Sequence, residues 1–138
     1  MYYGKNFGKT KEAREWSHKV FHYLSLEDNH RKLLALKKNF NPFNNFYRVE
    51  LTAFYPEKQI ITAKGQLSAR SIDLSNWEKP LIDLIFLPKH IQKKPPYGCE
   101  NLEMDDRYIG QMTSKKTVSK TDDFYIEATI EIIDLKSL

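Results

Sequence analysis

Apolar and polar residues alternate over two stretches of the chain and recur at helical spacing over three others. "FYRVELTAFYP" alternates across Phe46–Tyr55 and predicts a strand. "FYIEATIEII" alternates more cleanly, with Phe124, Ile126, Ala128, Ile130 and Ile132 on one face. Trp16, Val20 and Leu24 predict a helix over Lys11–Leu24 that Thr10 can cap. A second helical stretch, "NHRKLLALKKNF", stops ahead of the turn-rich "NPFNNF" at Asn41–Phe46. Gln59–Ala63 is expected to return as the hairpin partner of the first strand. The third helix lies in "SNWEKPLIDLIF". Pro80 lacks an N–H and its ring meets the carbonyl four residues back, so it belongs in the first turn or just after it. The helix should then begin near Ser75–Trp77, with Asp73 just ahead and Pro88 closing the segment. Trp77, Leu81, Leu84 and Ile85 would share its core face, while Asn76, Lys79 and Asp83 line up on another. Lys89–Glu103 reads as a loop around "KKPPYG", Arg107–Met112 as a short strand, and "TSKKTVSKTDD" as a polar connection. Three or four strands with three helices in mixed order predict an α+β fold, a small mixed sheet with helices packed on it.

Composition narrows the class. The 138 residues fit one domain, 1–138, and 41% hydrophobic with 13% aromatic content describes a chain able to build a core. One cysteine, Cys99, excludes an intramolecular disulfide and a cysteine-based zinc cluster. No apolar run approaches the ~18 residues of a membrane span, and no early basic and apolar segment reads as a leader. The expected location is therefore the cytoplasm, with no membrane partner. The net charge of +4 is unevenly spread: residues 1–40 carry nine Lys/Arg against four Asp/Glu. Lys89, His90, Lys93 and Lys94 form a second cluster. Such clusters suit a polyanion such as nucleic acid, and they equally describe the solvated surface of a lysine-rich protein.

The polar residues around the third helix carry the candidate chemistry. Phosphodiester hydrolysis needs the phosphate charge masked, a water deprotonated and the leaving oxygen stabilised, which Mg²⁺ does when a few carboxylates hold it. Asp73 at a helix start and Asp105–Asp106 at a strand start would supply such ligands if the two ends meet. Lys79 would neutralise developing charge, and Asn76 would hold a ligand water or a carboxylate. Each has an ordinary role too: Asp73, Ser75 and Asn76 are N-cap types, Lys79 and Asp83 an i,i+4 pair, and Asp105–Asp106 turn residues. His18 and His22 lack a nearby acidic third ligand and read as surface residues. GxxxxGK[ST], GxGxxG and GxSxG motifs are all absent, and Cys99 has no evident His partner.

The order Asp73-Leu74-Ser75-Asn76-x-x-Lys79-x-x-x-Asp83, followed by Asp105–Asp106, a short strand, a basic connection and a terminal alternating strand, resembles the RusA-like Holliday junction resolvases. That family is typically phage- or prophage-encoded and acts in DNA recombination and repair. Its signature is Asp-x-Asp-Asn opening a helix, a Lys three residues on, and a later Asp-Asp pair. The likeness covers about Arg48–Ile133, and more loosely "YYGKNFGKTKEAREW". It implies a small homodimeric endonuclease that binds four-way DNA junctions and cuts with Mg²⁺, Mn²⁺ being a possible substitute. Asp73, Lys79 and Asp106 would be catalytic, with Asp73, Asp105 and Asp106 around the metal and Ser75, Asn76 and Asp83 behind them. Lys115 and Lys116 match positions that face DNA. Three departures stand out. Ser75 replaces the second aspartate and brings no charge. The family's first strand is expected to be missing or supplied differently. The Asp83–Asp106 interval is long and holds "PKHIQKKPPYG", an insertion that reads either as an added DNA contact, through Lys89, Lys93 and Lys94, or as a partner-specific loop. The alternative is a relative that has lost catalysis and persists as a DNA- or protein-binding module.

Overall fold

The computed structural model describes residues 11–68, 74–86 and 104–138, apart from the side chains of residues 12, 13, 21 and 74–76. Two helices, α1 (Lys11–Ser25) and α2 (Glu27–Asn39), precede strand β1 (Asn45–Tyr55). A short helix α3 (Glu57–Ile60) and the longer α4 (Leu74–Phe86) lead to β2 (Ile109–Val118) and β3 (Tyr125–Asp134). This is a small mixed α+β fold. The strand order is β2-β1-β3, with β2 parallel and β3 antiparallel to β1. Parallel neighbours need a crossover, and α3 and α4 lie in the one between β1 and β2. From β2 the chain passes the far end of β1, where the Ser119 N–H donates to the Tyr55 carbonyl at 2.7 Å, and reaches the opposite edge as β3.

The alternation in β1 explains its central position. Tyr47, Val49, Leu51, Ala53 and Tyr55 are all buried in one core with Trp77, Leu81, Leu84, Ile85 and Phe86 of α4. The predicted core face of the third helix is therefore the observed one. Phe40, just after α2, stacks on Tyr47 with ring centres 4.0 Å apart, and Tyr47 meets Phe86 edge-on at 5.5 Å. Aromatic pairs in these geometries add to the burial energy. On β3, Ile126, Ile130 and Ile132 pack on the core, whereas Ala128 is exposed.

Four expectations change. Gln59–Ala63 is not a hairpin partner: Pro56 ends the strand and opens α3, and Ile61 makes only an isolated bridge to Leu67. Both edges of β1 are already bonded, by strands of comparable length. The polar "TSKKTV" is not a connection but the body of β2, since an edge strand tolerates polar and lysine side chains toward water. Arg107 belongs to a single helical turn, Asp106–Tyr108, ahead of that strand. Pro80 is the seventh residue of α4 and not in its first turn; the helix starts at Leu74 and gives up one bond to the Asn76 carbonyl. The expected 89–103 loop lies outside the described residues. Among the described residues, no helix is long and apolar enough to cross a membrane.

Burial pushes the Tyr47 phenol from its ordinary 10.0 up to about 12. The unfolded chain loses this proton first, so the contribution of Tyr47 is constant below about pH 10 and is lost between pH 10 and about 12. Denaturant titrations across that window should show a loss of about 2–3 kcal/mol. Tyr47→Phe should remove most of the slope.

Candidate active site

α4 sits on the sheet through Trp77, Leu81, Leu84 and Ile85, which turns its Glu78, Lys79, Ile82 and Asp83 flank toward the start of β2. A groove of about 390 Å³ lies there, lined by Glu78, Lys79 and Ile82 from α4 and by Asp106, Ile109, Gly110, Gln111 and Met112. Asp106 opens the helical turn that feeds β2, so strand pairing with β1 brings its carboxylate to the helix. Lys79 Nζ donates to Asp83 Oδ1 at 2.6 Å and to Asp106 Oδ2 at 3.5 Å, although Lys79 and Asp106 are 27 residues apart. The bond to Asp83 outweighs the opposing effect of burial and, with the lesser pull of the Asp83 and Asp106 charges, holds the Lys79 ammonium above its usual range. Lys79 is thus a fixed cation at neutral pH, suited to stabilising negative charge and not to accepting a proton.

The two adjacent aspartates diverge. Asp105 accepts from the Arg107 backbone N–H at 2.9 Å and from its guanidinium at 2.8 Å through Nε, capping the turn. The Arg107 side chain, and then its backbone N–H, hold the Asp105 carboxyl below its usual range. Asp106 faces the groove instead. Glu78, which lines the same groove, accepts from the Ser114 hydroxyl on β2 and ties α4 to the strand. This partner was not legible in the sequence, because Ser114 stands in what reads as a connection.

Other predicted residues fall elsewhere. Asp73 lies outside the described residues, as do Lys89, Lys93 and Lys94. Ser75 and Asn76 occupy the first turn of α4, with side chains outside the described set. Lys115 and Lys116 project to opposite faces of β2. Lys116 lies 5.9 Å from the Tyr55 ring centre, whereas Lys115 lines a smaller 180 Å³ hollow on the other face with Glu50 and Glu127. They do not make one joint contact.

Mg²⁺ takes one or two carboxylates and keeps several waters. Asp106 offers one carboxylate of that type to the groove, while Asp73, the other expected ligand, lies outside the described residues. Among the described residues alone, no group of three His, Cys, Asp or Glu side chains gathers as a metal site. Comparisons with protein-family models, curated proteins and solved structures found no match.

Gly110 carries a structural demand that the sequence hides. The register slips between Tyr47 and Arg48, which face Ile109 and Gln111, so Gly110 is the extra residue of a bulge. A Cβ there would meet Phe46 ring atoms at 2.6 and 2.9 Å. Gly110→Ala should therefore cost about 1–3 kcal/mol in denaturant unfolding. Pairing it with Phe46→Leu should recover part of that loss.

Proposed function

We propose that this protein is a RusA-like, Mg²⁺-dependent, structure-selective DNA endonuclease acting on Holliday junctions and other branched DNA. One observation carries the reading: Lys79 on α4 and Asp106 ahead of β2, distant in sequence, meet across one groove. Those are the residues that the family resemblance assigns to catalysis. Helix capping alone explains neither the meeting nor the turn of Asp106 away from Asp105.

In this reading a scissile phosphate enters the groove beside Lys79. Water attacks phosphorus, the bond to one sugar oxygen breaks, and that oxygen leaves with a proton. Lys79, kept cationic by its two carboxylates, offsets charge on the phosphate oxygens as it builds. Asp83 holds the ammonium in place through the 2.6 Å bond. Asp106, with Asp73, would hold Mg²⁺, which when bound masks phosphate charge and makes a water easier to deprotonate. A homodimer would supply two such sites to the two strands cut at a four-armed junction.

Binding without cleavage is the second reading, supported by Ser75 in place of a carboxylate and by the engagement of Asp105 with Arg107. A labelled four-way junction titrated with Mg²⁺ or Mn²⁺ separates the two. Paired nicks are expected, reduced about 100-fold or more by Asp106→Asn or Lys79→Met with junction binding kept. Binding with no nicks at any metal concentration would leave only the second reading. Ser75→Asp should raise activity or lower the metal requirement; an unchanged profile would count against a metal at this position.

A further inference from the structure

The end of the sheet that carries Asp106 is also where β1 begins and β3 finishes. Tyr47 faces Ile109 there, and Asn45 faces Asp134. The turn from α2 into β1 lies at this end and presents Phe43, 88% exposed and the most exposed large hydrophobic side chain among the described residues. An isolated exposed apolar residue is ordinary on a protein surface. The backbone of the turn that carries Phe43 is well hydrogen-bonded. The Phe43 N–H donates to Asn41 Oδ1 at 3.0 Å, and the Asn41 carbonyl accepts from Asn44 and Asn45 at 3.0 and 2.8 Å. Asn45 Oδ1 accepts from the Asn41 N–H at 3.1 Å, and the Asn44 carbonyl accepts from Leu135 at 2.8 Å. At the base of the turn Phe40 stacks on Tyr47 and reaches Tyr108, two residues from Asp106.

The charged residues nearest this turn along the chain are basic. Lys37 and Lys38 close α2 just before the turn, and Lys136 follows β3 at the same end; all three are exposed. The neighbouring Asp134, whose carboxylate accepts the backbone N–H of Lys136 at 2.8 Å, offsets one of these charges. The open face of the sheet is the opposite case, with Glu50, Glu127 and Glu131 against Arg48 and Lys115. A polyanion would favour the rim over that face. Cations that track a phosphate backbone beside an aromatic ring that accepts a base form the pattern of unpaired nucleic-acid binding.

We propose that Phe43 stacks on an unpaired base at the branch point of DNA, with Lys37, Lys38 and Lys136 on the adjoining phosphates, and so favours branched over linear DNA. This rests on the branched-DNA reading above and specifies how the substrate is selected. The test uses four-way junctions carrying 2-aminopurine at each branch-adjacent position in turn, with Ca²⁺ and no Mg²⁺ so that binding is read apart from cleavage. The wild-type protein should change the fluorescence at one or more positions. Phe43→Ala should abolish that change and weaken junction binding about 5- to 150-fold, with linear-duplex affinity unaltered. Phe43→Trp should restore both. An Ala variant that binds junctions and alters the fluorescence like wild type would overturn the proposal. So would a Phe43→Ala effect confined to dimerisation, read by sedimentation, since the ring would then face a second copy. If the wild type binds neither junction nor duplex, the branched-DNA reading itself fails.

Discussion

β1 is the most deeply buried strand, so its backbone N–H and C=O groups lie away from water and must be hydrogen-bonded along both edges. β1 meets that demand by pairing with β2 along one edge and β3 along the other. The arrangement of everything else follows from it. The parallel pairing puts the first residues of β2 beside the first residues of β1, and so brings Asp106 to the end where Phe40, Tyr47 and Tyr108 meet. The same alternation gives α4 the apolar floor on which it lies, with its Lys79 flank over the start of β2.

Within that frame the candidate site is an electrostatic arrangement of few parts. A cation sits between two carboxylates, one from its own helix and one from the neighbouring strand. The helical contact is short and would form in many helices; the contact to Asp106 depends on the sheet. The ammonium that results is held charged, which sets what chemistry the groove can support. Glu78 and Ser114 brace the same junction from the side, and Gly110 admits the Phe46 ring where any larger residue would push strand and ring apart.

Asp105 illustrates how adjacent identical residues acquire different tasks. In a sequence the pair looks like a doubled ligand. In the fold one carboxylate is taken by Arg107 and caps a turn, which aims the other at Lys79. If Mg²⁺ binds here, this orientation contributes as much as the charge itself, since a hard cation needs oxygens placed as well as present. The two lysines after Ser114 diverge for a simpler reason: strand neighbours point to opposite faces.

Periodicity by itself determined α1, α2 and α4, the β1 and β3 strands and the core face of α4, because burial of one side of a helix or strand leaves a repeating signature. The i,i+4 spacing likewise made the Lys79–Asp83 pair legible. β2 was read too short because an edge strand in contact with water needs no apolar repeat. The hairpin at Gln59–Ala63 was misplaced because pairing partners are chosen by competition among all strands, and local alternation carries no record of that competition. The bulge at Gly110, the parting of Asp105 from Asp106 and the meeting of Lys79 with Asp106 were decided only in three dimensions. Each depends on the register between segments far apart in the chain, and register is a property of the assembled sheet.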